Sequence, residues 1–517
     1  MVLLVAFSAT AEAQPAAFSQ LASTSFDDVR RGVEALAVSG DPVAAPVLGA
    51  LQAGRLLSNS DGALFIHEPG GKVLDAFTGT PATTTATLRP VRINNAVRRA
   101  ADAAMGSLRL FAPDPATRAT AAAAVFKSRD AAALPALDRA LAQEDDAAIR
   151  RTMQEARAAA LLATADTPEP DRLTAVATLR ARGDLDARGL LASLGPQPQA
   201  VQDAASSAVA AIDSNLQLWG LLQGAYYGLS LGSVLLLAAA GLAITFGVMG
   251  VINMAHGEMV MIGAYVTFMV QEAVRAHAPG WFGASLFLAV PLAFLVSGGL
   301  GVLIERGLIR HLYGRPLETL LATFGLSLIL QQAIRSMFGP TNREVGTPTW
   351  MSGAAQIGQL TITYNRLAII VFAVLVIAAL MLVLRATPLG LRMRAVTQNR
   401  GMAAAMGIRT PWVDAATFGL GSGVAGMAGV ALSQIDNVSP NLGQSYIIDS
   451  FMVVVFGGVG NLWGTVVGAL TLGIANKFLE PVAGAVLGKI VVLCLLVLFI
   501  QRRPRGMFPL RGRAVDA

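Results

Sequence analysis

Three polar side chains stand together at the edge of an apolar run: Asn253, His256 and Glu258, in Asn253-Met254-Ala255-His256-Gly257-Glu258. Amide, imidazole and carboxyl groups donate, accept or carry protons, and they are costly in hydrocarbon, so they are expected to face a pore, a partner or each other. A local reading stands beside that one, with Asn253 and Glu258 capping helix ends and His256 bonded to backbone. A second polar point, Asn461, closes the stretch Phe456-Gly457-Gly458-Val459-Gly460-Asn461, and the stretch from Phe246 to Asn253 interrupts an earlier apolar segment with glycines in a similar way. Broken membrane helices leave backbone groups that protein or a water-filled path must satisfy. The paired breaks therefore make Asn253, His256, Glu258, Gly457, Gly458 and Asn461 candidates for the lining of a translocation path. Ser422, Gly426 and Gly429, like Gly464 and Gly468, have the spacing of helix packing instead.

Little else in the sequence could do chemistry. The single cysteine, Cys494, lies in the last apolar run and reads as a small buried hydrophobe. His67 is the only histidine before the apolar half, so neither a catalytic constellation nor a metal site is expected, and the chain does not read as an enzyme. No G-x-x-x-x-G-K-[ST] loop occurs; any ATP would have to be bound by a separate subunit. Apart from Asp449 and Arg335 near their ends, the spans read as almost free of charge, which suits a neutral solute.

The elements that must hold these residues follow from composition. Apolar residues make up 54% of the 517 and charged ones 14%, the balance of a membrane protein. The net charge of +6 does not call for a nucleic-acid partner, because the arginines of the second half cluster in short loops beside apolar runs. Those runs fall near 217–247, 258–275, 282–303, 317–338, 366–384, 413–432, 448–478 and 482–500. Loops 305–315 and 385–409 and the tail 502–513 carry the arginines and are expected in the cytoplasm. Eight simple crossings would leave the tail outside, so 448–478 is expected to hold two short passes around its glycine break, for nine in all.

Upstream, residues 1–13 read as a signal peptide with a small-x-small site at Ala11-Glu12-Ala13, although no Lys or Arg precedes Arg30. Residues 14–215 read as an exported, mainly helical domain with HEAT-like pairs, from the similarity of Pro46-Val47-Leu48 to Pro135-Ala136-Leu137. A small hairpin is expected between Asp61 and Val73. Residues 216–501 form the membrane domain and 502–517 a basic cytoplasmic tail. The fold class is thus all-α: a polytopic permease-like bundle of eight or nine spans behind a helical exported domain. Between Arg392 and Thr410 lies a basic, cytoplasmic stretch with the look of a short helix ended by Gly407, suited to a groove of another protein.

The stretch from Gly241 to Tyr265 closely resembles the start of LivH-type branched-chain amino acid permeases of ATP-binding-cassette transporters. Leu317 to Gln331, Arg392 to Thr410 and Phe456 to Gly468 are similar to that family too. The exported domain, through Leu51 to Ile66 and Ile93 to Phe111, resembles that of urea permeases. What the resemblance implies is an inner-membrane permease subunit importing urea. Its partners would be a second homologous permease, two ATP-binding-cassette ATPase subunits that hydrolyse the ATP, and a periplasmic solute-binding protein. It also implies that Arg394, Asn399, Ala403, Ala404 and Gly407 belong to the loop that engages the ATPases. An acidic residue usual near Gly401 and Met402 is missing here. Branched-chain amino acids or short amides are the alternative cargo, and a passive channel the alternative class.

Overall fold

The computed structural model describes residues 16–39, 43–68, 71–82, 87–164 and 166–508; the expected signal peptide lies outside them. The chain divides into two compact units, Met1–Gln217 and Leu218–Ala517.

The first unit has two cores. Helices Ala16–Leu21, Phe26–Ser39, Ala44–Gln52 and Asn95–Leu108 pack with a small antiparallel sheet around Phe18, Leu36, Leu48 and Leu51. The expected hairpin is there, with Ile66 opposite Leu74. Two further strands, Leu56–Ser58 and Arg89–Pro90, extend it to four. Helices from Pro115 onward form the second core around Leu137, Met153 and Leu179, and the long helix Gln199–Met249 contributes Val201, Ala205 and Ile212 to it. Aspartates cap these helices: Asp114, Asp146 and Asp184 each accept from backbone N–H groups of the following turn.

Arg118 Nε donates to Glu144 Oε2 at 2.7 Å, and this guanidinium holds the Glu144 carboxyl below its ordinary value. A lowered folded-state pKa means stability that is present above about pH 4.5, the ordinary carboxyl value, and is lost as pH falls through the folded value. Glu144→Gln is therefore expected to flatten the loss of melting temperature below pH 4.5 and leave its pH dependence above pH 5 unchanged. Thermal unfolding across pH 3–7 checks this.

In the second unit six helices, those within Gln199–Met249, Pro279–His311, Pro316–Phe338, Tyr364–Ala386, Thr410–Leu432 and Leu462–Arg502, are long and apolar enough to cross a membrane. His256–His277 and Leu442–Gly457 add two more apolar helices. Leu462–Arg502 does not run straight: Gly484 has φ 77°, a left-handed conformation that glycine alone adopts freely. The chain folds back there, and the packing of Gly488 beside Leu479 and Glu480 shows it. Counting the two arms separately, the described residues of this unit make nine apolar helical segments. The glycine break at 458–461 falls where the sequence puts it, but the flanking passes are not a matched short pair. One runs Leu442–Gly457, and the other continues from Leu462 through Pro481 to Gly484.

Contacts sort the loops onto two faces. On one, Tyr313 meets Glu305, and Met507 and Phe508 N–H groups donate to Phe456 and Gly457 carbonyls at 2.9 and 3.1 Å. On the other, Gln271 Nε2 donates to Gly346 O and Trp350 Nε1 to Gly283 O, both at 2.8 Å, and Arg343 and Val438 pair through backbone. The first face carries the arginine-rich loops.

At the centre is Thr410–Leu432, buried on nearly every side. Its glycines let it approach its neighbours to backbone contact: Gly426 lies against Gly263, Gly429 against Val260 and Ser422 against Gly301. Cys494 is not buried as expected. It is exposed between Leu493 and Leu495 on the apolar outer side of the last pass.

Candidate functional site

Asn253, His256 and Glu258 are all buried where the first break leads into His256–His277. Their bonds differ. Asn253 Oδ1 accepts from Ala255 N at 3.0 Å, a local turn just before the helix rather than a cap on it. His256 Nε2 lies 2.9 Å from Ala238 O, and its Nδ1 has no partner. Glu258 reaches across to Pro316–Phe338, where its Oε1 accepts from Ser327 Oγ and Gln331 Nε2, both at 2.8 Å; its Oε2 has no partner.

Thr323, one turn before Ser327, accepts from Met254 N at 3.1 Å. Thr323, Ser327 and Gln331 thus form a polar stripe with i, i+4, i+8 spacing on an otherwise apolar helix, a signal that sequence reading passed over. The stripe ties the first break to the helix beside it. Ser327→Ala is expected to cost about 1–3 kcal/mol, because it removes a donor from a buried carboxyl group. Thermal unfolding of the purified chain against a surface control, Ser336→Ala, checks it.

The second break forms a separate group. Asn461 Oδ1 accepts from Trp463 N and Gly464 N at 3.0 and 3.2 Å, and its Nδ2 donates to Phe508 O at 3.1 Å. Its amide is spent on capping Leu462–Arg502 and holding the tail. Gly457 packs on Gly464, and Gly458, at φ 104°, sits against Gly506. Asn253 and Asn461 do not share a site, but the breaks themselves touch, since a Cβ on Gly247 would lie 2.6 Å from Gly460 Cα.

Beside that contact opens a cavity of about 320 Å³ on the arginine-rich face. Gly247 and Val248 of the first break, Gly460 and Trp463 of the second, and Arg394 and Gln398 of the basic loop all line it.

The basic loop is two helices rather than one. Pro388–Gln398 stops at Asn399, whose extended backbone turns the chain while its Oδ1 caps Arg400–Ala405 by accepting from Met402 N at 2.9 Å. Arg394 donates to Leu384 O, Ala403 is buried and Ala404 exposed, and Gly407 takes φ 84° at the stop. Met402 and Met406 project 62% and 77% exposed, an apolar patch beside a chain of arginines.

This loop is anchored to the bundle by groups that sequence reading did not connect. Arg400 forms a two-pronged ion pair with Asp414, which is fully buried near the start of Thr410–Leu432. The same guanidinium stacks 4.8 Å from the Tyr313 ring, and Tyr313 Oη donates to Glu305 Oε1 at 3.1 Å. Burial pushes the Tyr313 phenol up, with the Asp414 and Glu305 carboxyls adding to it, so it stays a neutral donor. Arg306 stacks on Trp412 at 4.1 Å.

The expectation of nearly charge-free spans is overturned. Besides Asp414, Lys489 Nζ donates to Asp449 Oδ2 at 2.8 Å between two passes. Pairing is what makes such charges tolerable in the bundle.

A polytopic helical bundle with broken passes, a cavity at the breaks and a capped loop on the arginine-rich face defines the class as a membrane transport permease. Residues 224–500 match the family described as "Branched-chain amino acid transport system / permease component", and the chain belongs to that family. It is 31% identical over 298 residues to the high-affinity branched-chain amino acid permease BraD of Pseudomonas aeruginosa, covering 56% of this chain and 96% of the relative. Identity to LivH of Escherichia coli K12 is 32% over 296 residues, 55% of this chain and 94% of the relative. A shorter stretch of 132 residues is 30% identical to the ribose import permease RbsC of Bacillus subtilis, 24% of this chain and 41% of the relative. No solved structure matches. Membership makes this chain a transporter component that acts with partner ATPase and solute-binding components.

Proposed function

We propose that this chain is a permease subunit of an ATP-driven urea importer in the bacterial inner membrane. It would pair with a second, homologous permease, two ATPase subunits and a periplasmic solute-binding protein. The arginine-rich face is cytoplasmic, and residues 14–215 are periplasmic after removal of residues 1–13. The observation that carries the reading is the cavity in which both glycine breaks meet the basic loop. Movement of Arg400–Ala405 by the ATPases, docked on Met402 and Met406, is passed across Asn399 to Pro388–Gln398, which shares the cavity with the breaks, with Arg394, Asn399, Ala403, Ala404 and Gly407 shaping the lever. Asn253, His256, Glu258, Gly457, Gly458 and Asn461 then form the gated part of the path.

Urea rests on the first unit, which the family match at 224–500 leaves uncovered. A second cargo, branched-chain amino acids, is favoured by the printed function of the relatives and by charged groups such as Arg366 and Asp436 on the far face.

Uptake of labelled urea and labelled leucine into vesicles holding the whole importer tests both. Cargo is whichever accumulates only with ATP and the ATPases, and uptake persisting without ATPases would instead mean a channel. Sidedness is tested with the single native cysteine removed and Met406→Cys labelled by an impermeant reagent. Labelling from the outside would end the reading.

A further inference from the structure

On the face opposite the arginines, the loops after Phe338 and after Leu432 and the first turn of Tyr364–Ala386 border an open polar hollow of about 280 Å³. Its wall carries two carboxyl groups, Glu344 and Asp436, one guanidinium, Arg366, and the amides of Asn365, Asn437 and Gln434. Such a mixture is unusual over a membrane bundle and is not closed on itself. None of Glu344, Arg366 and Asp436 takes part in an ion pair among the described residues. Arg366 instead stacks 4.7 Å from the Tyr227 ring, and Asp436 accepts a long 3.5 Å contact from Tyr446 Oη.

Gln434 is the decisive member. It is 6% exposed, its Nε2 donates weakly to Ser433 Oγ at 3.3 Å, and its Oε1 is buried with no donor at all. A buried carbonyl without a donor is a standing deficit that a ligand N–H would remove. The last torsion of a glutamine side chain is broad, so a small turn presents Oε1 to the hollow beside it. Two carboxyls and the orphaned carbonyl stand beside one guanidinium and the Asn365 and Asn437 amides, which both donate and accept.

We propose that this hollow receives the transported solute, and that the solute brings N–H donors to Gln434 Oε1. The proposal rests on the permease reading above and names the recognition chemistry within it. Two sources share that chemistry: the amide N–H groups of urea, and the ammonium of an amino acid, whose carboxylate would lie toward Arg366. The two differ at the carboxyl groups. A neutral amide gains little from Asp436, whereas an ammonium forms a charge-assisted bond with it.

The test uses the whole importer in vesicles, with labelled urea and labelled leucine as probes and solute moved per ATP hydrolysed as the readout. Gln434→Met keeps the volume and removes the acceptor, and is expected to lower the ratio for the cargo three- to tenfold. Gln434→Glu restores an acceptor and is expected to recover most of it, which a packing role would not. Asp436→Asn is expected to lower leucine transport about tenfold and urea transport less than twofold.

Wild-type ratios in Gln434→Met, with the wild-type importer moving either probe, overturn the hollow alone. A wild-type importer that moves neither probe overturns the permease reading and the hollow with it. A change confined to the concentration of binding protein needed, with the ratio intact, makes the hollow a protein-docking surface and likewise overturns the proposal.

Discussion

Arg400→Ala will damage this protein far more than Asp414→Ala, although the two residues form one ion pair. Asp414 is fully buried, while the Arg400 side chain is 43% exposed. Removing the arginine strands a carboxylate in the bundle, a loss on the order of 3–5 kcal/mol for a buried pair. Removing the aspartate leaves a guanidinium that still reaches water and the Tyr313 ring, so the cost is nearer 1 kcal/mol. The double variant Arg400→Ala, Asp414→Asn should regain most of the stability lost in Arg400→Ala. It should not regain uptake, because Arg400–Ala405 would then lose its side-chain tie to Thr410–Leu432. Melting temperature and ATP-driven uptake, measured on all three, separate the roles. Equal melting temperatures for the two single variants would refute the asymmetry.

The second large effect lies in the glycine seam. A methyl group on Gly429 would run into Val260 O and Ala264 N, and one on Gly263 into the backbone of Gly426. Both neighbours are main chain and cannot swing aside. Gly429→Ala and Gly263→Ala are each expected to cost at least about 3 kcal/mol, the upper end of ordinary overpacking. Gly299 and Gly325 sit in helices with nothing within 4 Å of an added methyl. Alanine there is expected to be neutral or to stabilise by about 0.5–1 kcal/mol, the usual helix gain. Yield and thermal unfolding of the four variants decide it: similar losses at all four positions would mean that close approach is not what these glycines serve.

The all-α bundle was legible because hydropathy reports burial in lipid directly, and the break at 457–461 because glycine followed by a capping asparagine stops a helix wherever it occurs. The next turn, expected between 478 and 482, falls at Gly484 instead, a small shift with a physical reason. That glycine stands among Pro481, Val482 and Ala483 in a run apolar enough to read as a loop or as a span, and only packing of the returning arm selects a turn at that residue. The split at Asn399 was missed because Ala and Arg around it favour continuous helix. The polar stripe Thr323, Ser327, Gln331 had readable spacing, but which helix it faced is a tertiary fact. The same holds for Asp414: local sequence shows an acid near a span end, and only the fold brings Arg400, Tyr313 and Glu305 around it. Lys489 could have been seen within the last apolar run, and its neglect led to the reading of spans almost without charge.

One short pass has a consequence for energetics. Leu442–Gly457, at 1.5 Å per residue, is about 24 Å long, less than the roughly 30 Å of bilayer hydrocarbon. The far-face hollow includes residues 433–437 just before it, and the cavity at the breaks includes Gly460 and Leu462 just after it. Water entering from both sides would squeeze the transmembrane voltage drop into that thinner septum, steepening the field across it. A zwitterion or urea crosses such a field without net electrical work, whereas each unit charge would exchange about 2.3 kcal/mol per 100 mV. On that geometry an ion would meet the same total voltage over a shorter path, while a net-neutral solute would cross it without net electrical work.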